Sequence, residues 1–197
     1  MKQSYSKNYF ERYASLSLLK ILSMTREDVE QSDRPDICID DTWGIEVTQA
    51  LTPEEAVADM KKPLYTMFNM NPFNHSSDDM EFVFGKIDDA IIRKENKAKH
   101  YQSFQKNGLY IFTHCINLKE DELIDYLKNY QFQTCFYQYL FFNCVDCVYC
   151  YDIESQTMQC YTYALKELMS MNQEALEFEK HAHKKRRPIE LPKANKS

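Results

Sequence analysis

The run Leu109-Tyr110-Ile111-Phe112-Thr113, which follows Asn107-Gly108, is apolar at nearly every position. Successive strand residues point to opposite faces, so such a strand is hydrophobic on both and belongs in the buried centre of a sheet. The chain carries helices to cover it. Phe10, Tyr13, Ala14, Leu18, Ile21 and Leu22 recur at helical spacing, and so do Val83, Ile87, Ala90 and Ile91 within 80–104. Leu123, Ile124 and Leu127 mark a helix over 118–130, and another is expected over 165–179. Strand-like runs stand at 37–39, 45–47, 135–142, 147–153 and 157–163, with turns at Asn143 to Asp146 and at Glu154-Ser155-Gln156. The pattern predicts an α/β fold, a mixed central sheet flanked by helices. Nothing repeats internally.

At 197 residues and 44% apolar content the chain suits one domain with a real core. It has only 3 glycines, no Walker motif and no Gly-x-Gly-x-x-Gly fingerprint, which disfavours phosphate-cradling loops. No apolar run approaches a membrane span and no signal-peptide core is visible, so a cytoplasmic protein without a membrane partner is expected. Charge is uneven. Lys180 to Ser197 holds seven basic residues and one acid, against 24 basic and 30 acidic in the whole chain, leaving the body near −12 and the tail near +6. The expected organisation is a single domain over 1–179 and a flexible basic tail over 180–197. The tail is suited to non-specific phosphate contact, to folding back on the acidic body, or to solubility alone.

Two acids stand in a short β-type frame, Pro35-Asp36-Ile37-Cys38-Ile39 and then Gly44-Ile45-Glu46-Val47-Thr48. Asp40-Asp41-Thr42 between them has turn character, which predicts a tight hairpin. Loop length then decides whether the acids meet. An odd number of loop residues puts Asp36, Glu46 and Thr48 on one face, and an even number separates Asp36 from Glu46. Gly44 favours the odd count, because glycine takes the φ > 0 position of a bulged turn. In that register the two carboxylates offer hard oxygen ligands to Mg²⁺ or Mn²⁺. A metal so held lowers the pKa of a bound water and steadies a phosphodiester transition state.

These residues resemble the metal site of the PD-(D/E)XK nuclease superfamily, in which an acid on one strand precedes Glu-x-Lys on the next. Asp36 matches the first acid and Glu46 the second. The lysine position falls on Thr48, and Gln49 stands one place beyond it. With element order included, the resemblance covers roughly Glu11 to Tyr151. It implies a restriction-endonuclease-like core and metal-dependent hydrolysis of DNA or RNA phosphodiesters. Mg²⁺ or Mn²⁺ would be ligated by Asp36, Glu46 and the Val47 carbonyl. It also implies a glutamate on the preceding helix that holds a metal-bound water, and Glu11 is the candidate. Thr48, Gln49 and Tyr101 are candidate substrate contacts.

The helical period of 80–104 brings Lys94, Lys97 and Tyr101 to the buried side or its edge. Lys94 or Lys97 is therefore the candidate replacement for the motif lysine. Plainer roles compete with these. Glu11 suits a solvated helix start, and the lysine stems suit apolar cover with their heads in water.

Residues 61–79 have no clear period and read as an ordered loop beside the site, with His75 as a candidate acid or base. The 7 cysteines include Cys144-x-x-Cys147-x-x-Cys150. A turn at 143–146 sends Cys147 and Cys150 to opposite faces, so this spacing does not converge on a metal. His114 and Cys115 likewise point apart and form no dyad, and His100 has no visible role. The leading expectation is a metal-dependent nuclease acting on nucleic acid. The alternative is a catalytically silent nuclease-like module that binds nucleic acid, protein or a second copy, and Thr48 favours it.

Overall fold

The computed structural model describes residues 7–25, 28–31, 35–60 and 78–185. The elements run α1 (Lys7–Ile21), β1 (Val29–Gln31), β2 (Ile37–Ile39), β3 (Trp43–Gln49), α2 (Pro53–Met60), α3 (Met80–Ala98), β4 (Lys106–Phe112), α4 (Glu120–Lys128), β5 (Tyr139–Asn143), β6 (Cys147–Asp152), β7 (Thr157–Thr162) and α5 (Leu165–Lys185). The strands form one mixed seven-stranded sheet in sequence order. β1, β2 and β3 pair antiparallel, β3–β4 and β4–β5 are parallel, and β5, β6 and β7 are again antiparallel. The chain is α/β, with a mixed sheet between helical layers.

β4 is the central strand that its sequence predicts. Leu109 and Ile111 pack with Val83, Ile87, Ala90 and Ile91 of α3 and Leu123 and Leu127 of α4. Tyr110 and Phe112 pack on the other face with α1 and with Leu168, Met171, Ala175 and Leu176 of α5. α1 is buried on two sides, by the sheet and by α5, where Tyr9 donates to Asn172 Oδ1 at 2.8 Å and Arg12 pairs with Glu174. Glu11, at the flank of the apolar stripe, is itself buried, beside Lys7 and Asp36.

The hairpin has the odd register. Ile37 faces Ile45, Cys38 faces Gly44 and Ile39 faces Trp43, which leaves a loop of Asp40, Asp41 and Thr42. The turn is made differently from expectation. Asp40 (φ 47°) and Asp41 (φ 51°) take the left-handed positions, while no described glycine has positive φ. Aspartate tolerates this conformation better than most residues. Gly44 is needed for another reason: a Cβ there would strike the Phe104 ring.

Four boundaries depart from the sequence pattern. α3 ends at Ala98, so Tyr101 lies in the turn beyond it, its N–H bonded to Ala98 O at 2.9 Å. β5 begins at Tyr139 rather than near Cys135, because the segment before it is held by a buried carboxylate, Glu95, and not by a strand ladder. α2 is an unexpected helix, opened by a reciprocal cap: Glu55 N–H donates to Thr52 Oγ1 at 3.2 Å, and Thr52 N–H to Glu55 Oε2 at 2.8 Å. α5 continues past Glu179 to Lys185, so the expected boundary with the basic tail falls inside a helix. His75 and most of the expected 61–79 loop lie outside the described residues, as does the tail beyond 185. No helix among the described residues is long and apolar enough to cross a membrane.

Candidate functional site

The hairpin register sets Asp36 opposite Glu46 on the face that α3 covers. Both are buried. The apolar side of α3 runs Val83, Ile87, Ala90, Ile91, and one turn later it delivers Lys94 over the pair. Lys94 Nζ lies 2.6 Å from Glu46 Oε2 and 3.3 Å from Asp36 Oδ2. The same Asp36 oxygen accepts the Val47 backbone N–H at 2.8 Å. From α1, Lys7 Nζ lies 2.7 Å from Asp36 Oδ1 and 3.0 Å from Glu11 Oε1. Elements from both faces of the sheet therefore meet at one point.

Three carboxylates here face two ammonium groups, so one negative charge is left over. The imbalance divides the acids. Burial works against ionisation of Asp36, but Lys94, Lys7 and the Val47 N–H outweigh it and hold its pKa below the usual carboxylate range. Burial pushes Glu46 up, and Asp36 adds to the push against the pull of Lys94. Glu11 is raised to about 7, by burial first, with the Lys7 hydrogen bond opposing and the Asp36 charge reinforcing. On the lysine side, burial disfavours the charged Lys7, yet its bonds to Asp36 and Glu11 win and raise its pKa.

The acids open into a cleft of about 460 Å³ lined, among the described residues, by Lys7, Asp36, Glu46, Lys94, Lys97, His100 and Tyr101. Lys97 is exposed on the cleft wall and stands off the acids, so of the two candidate lysines it is Lys94 that reaches them. Tyr101 is half-buried, with its hydroxyl pKa pushed up to about 12 by burial and by the nearby Glu46 and Asp36 charges. Gln49 is not brought to the acids. Its side chain sits on the opposite face of β3, where its Oε1 lies 3.2 Å from His114 Nε2, while its backbone carbonyl accepts from Arg93 of α3. Thr48 shares the face of Glu46 one step along the strand but stands outside the cleft lining. The Val47 side chain belongs to the opposite core.

Two residues of the cleft carry no role in the sequence reading. Lys7 had one usable signal, its i, i+4 spacing to Glu11. His100 had none, because the turn after α3 places it. The cysteines behave as their spacing predicts: Cys147 packs on the α3 and α4 side, Cys150 on the α1 and α5 side. His114 packs against Phe10 and Phe112 while Cys115 joins the other core, so the two stay apart.

Among the described residues no group of three or more His, Cys, Asp or Glu side chains stands in metal-binding geometry. The donor set at Asp36 and Glu46 suits Mg²⁺ or Mn²⁺ nonetheless, since such ions are commonly held by one or two carboxylates with waters completing the shell. Glu46 Oε1 is buried and accepts no hydrogen bond from any described residue. A buried carboxylate oxygen in that condition is a ready ligand for a hard cation. Set against family models, curated proteins and solved structures, the chain matches none of them.

Proposed function

We propose that this protein is a metal-dependent nuclease that hydrolyses phosphodiester bonds of DNA or RNA, with a restriction-endonuclease-like core similar to that of the PD-(D/E)XK superfamily. One observation carries the reading: Lys94 Nζ bridges Glu46 and Asp36 from a neighbouring helix, at 2.6 and 3.3 Å. Thr48 leaves the strand without its motif lysine, and α3 returns an ammonium group to the same pair of acids. The element order supports the reading as well: a helix, antiparallel strands bearing the acids, a helix, then a parallel strand.

In this mechanism Asp36 and Glu46, with the Val47 carbonyl, would hold Mg²⁺ or Mn²⁺. When bound, the ion polarises a phosphoryl oxygen and lowers the pKa of a ligated water. The chain's own groups do the rest. Asp36, kept ionised by its partners, is the constant anionic ligand. Glu11 orients the attacking water from the α1 side. Lys94 stabilises charge that develops on the phosphate, as pre-placed cations do in phosphoryl transfer. Lys97, His100 and Tyr101 bind the flanking strand along the cleft wall. A cytoplasmic setting fits seven cysteines that all carry free thiols.

A second reading is a catalytically silent nuclease-like module that binds nucleic acid or protein. Lys7 and Lys94 favour it, because they already neutralise most of the acidic charge. Calorimetry with Mn²⁺ on the wild type, Asp36→Ala and Glu46→Ala separates the two, followed by cleavage assays on labelled DNA and RNA with Lys94→Ala as control. The nuclease reading expects binding lost in both acid variants and cleavage lost in the lysine variant. Absence of wild-type binding at millimolar Mn²⁺ leaves the binding module.

A further inference from the structure

Cys144-Val145-Asp146-Cys147 has the Cys-x-x-Cys spacing of dithiol–disulfide chemistry, and the acidic site makes no use of it. The structure sets this segment at the hairpin between β5 and β6. Asn143 faces Val148 at the end of the ladder, and one step beyond it Cys144 N–H donates to Cys147 O at 2.9 Å. The two cysteines therefore stand opposite each other across a turn of two residues. Asp146 N–H donating to Cys144 O at 3.1 Å closes that turn, with Val145 in the left-handed region at φ 77°. A β-branched residue is disfavoured there, and Asn143 Oδ1 steadies it by accepting Val145 N–H at 3.3 Å.

Opposite residues of an antiparallel pair send their side chains to one face, with Cα atoms about 4.5–5.5 Å apart. A disulfide spans Cα separations of about 4.4–6.8 Å. Both thiols lie in the core on the α3 and α4 side. The other cysteines of β6 and β7 are not so placed. Cys150 belongs to the opposite core. Cys160 shares the face of Cys147 but stands opposite Tyr149, while Cys147 stands opposite Thr162. Such diagonal neighbours are about 7–8 Å apart, past the reach of a disulfide.

The two thiols also differ in access and acidity. Cys147 is 8% exposed and Cys144 not at all. Cys144 Sγ lies 3.8 Å from Phe142 O and 3.5 Å from the Thr113 hydroxyl, and burial pushes its pKa up. The hydrogen bond with Cys144 pulls Cys147 down to about 7, against burial. Exchange needs an accessible thiolate to attack and a second thiol behind it to displace the reagent.

We propose that Cys144 and Cys147 form a reactive dithiol that closes to a disulfide by exchange with a small-molecule disulfide such as oxidised glutathione. Cys147 attacks one sulfur of the reagent, forms a mixed disulfide and expels the first thiol. Cys144 then attacks Cys147 Sγ and expels the second. Two protein thiols are oxidised, one reagent disulfide is reduced to two thiols, and the protons of the cysteines end on the departing sulfurs. No residue of the acidic cleft takes part, so the inference stands apart from the metal-site reading.

The test incubates the folded, full-length wild type in a buffer rich in oxidised glutathione, alkylates the remaining thiols and assigns each cysteine by peptide mass spectrometry. The expected result is complete loss of alkylation at Cys144 and Cys147, with the two linked and no glutathione on either, and full recovery after dithiothreitol. Cys160→Ser should form the same link. Cys144→Ala should instead keep glutathione on Cys147, since the second step has no attacker. If Cys147 stays reduced in the folded wild type and reacts only after denaturation, both thiols are ordinary core residues and the proposal fails. A link from Cys147 to Cys160 or to any other cysteine overturns it, as does glutathione that stays on Cys147 in the wild type.

Discussion

Glu95 and Glu46 are two glutamates on the same side of one sheet, almost equally buried at 3% and 4% exposure. Their surroundings differ completely. Glu95 belongs to α3 and clamps the segment before β5. Its Oε1 accepts from Thr134 N–H at 3.0 Å and from the Thr134 hydroxyl at 3.3 Å, and its Oε2 accepts from Gln133 N–H at 3.3 Å. No strand ladder forms there, so the carboxylate takes the place of ladder partners. Glu46 belongs to β3, bonds one lysine through Oε2 and leaves Oε1 without a protein partner among the described residues. Burial is common to both. The oxygens of Glu95 are used by the backbone and tie the fold together, whereas Glu46 is crowded by other acids and keeps one oxygen without a partner among the described residues.

The contrast can be broken by experiment. The largest effect is expected at the cation between the acids. Lys94→Ala leaves Asp36 and Glu46 facing each other without their shared partner and should cost about 3 kcal/mol in denaturant unfolding. Saturating Mn²⁺ should recover much of that loss by binding the folded state. A loss that metal does not repair would show that Lys94 is only a structural tie.

Glu95→Gln comes next. It trades acceptor oxygens for an amide that cannot serve all three donors, at a cost of about 2 kcal/mol with no change in Mn²⁺ affinity. Glu46→Gln should move the other way. Its pKa is raised in the folded state, so ionisation opposes folding above the carboxylate range, and removing the charge should add about 1 kcal/mol at neutral pH. The same variant should lose Mn²⁺ binding. Stability shifts of the same sign at Glu95 and Glu46 would erase the distinction drawn between them.

The smallest effect belongs to Lys7, whose side chain is 62% exposed. Lys7→Ala should lower the melting temperature by only about a few degrees, since the ammonium end is exposed although its partner Asp36 is buried and keeps Lys94 and the Val47 N–H. Mn²⁺ should bind a few-fold more tightly, because a competing cation has gone. Weaker Mn²⁺ binding in this variant would mean that Lys7 supports the acids instead of competing for them.

Part of this arrangement was legible without coordinates. Apolar runs and helical periods are local, so β4, β6, β7 and the inner faces of α1, α3 and α4 follow from them. The helix at 53–60 was legible in principle from Thr52-Pro53-Glu54-Glu55 and carries no helix in the sequence reading. The start of β5 was not, because Cys135 to Gln138 has strand-like composition and is diverted by a carboxylate from a distant helix.

For the site, the chain by itself determined only that an odd loop would put Asp36 and Glu46 on one face and an even loop would part them; the loop of three that decides it belongs to the structure. Alternation along a strand is a property of the backbone. Which groups gather around the pair was decided only by the tertiary structure. Lys7 comes from α1, Lys94 from α3 and Tyr101 from the turn beyond it, and their meeting depends on how the helices of both layers seat on the sheet. Packing is long-range and leaves no spacing in the sequence to read. For the same reason Gln49, adjacent in sequence to the candidate motif, is turned away from it by the pleat that turns Glu46 inward.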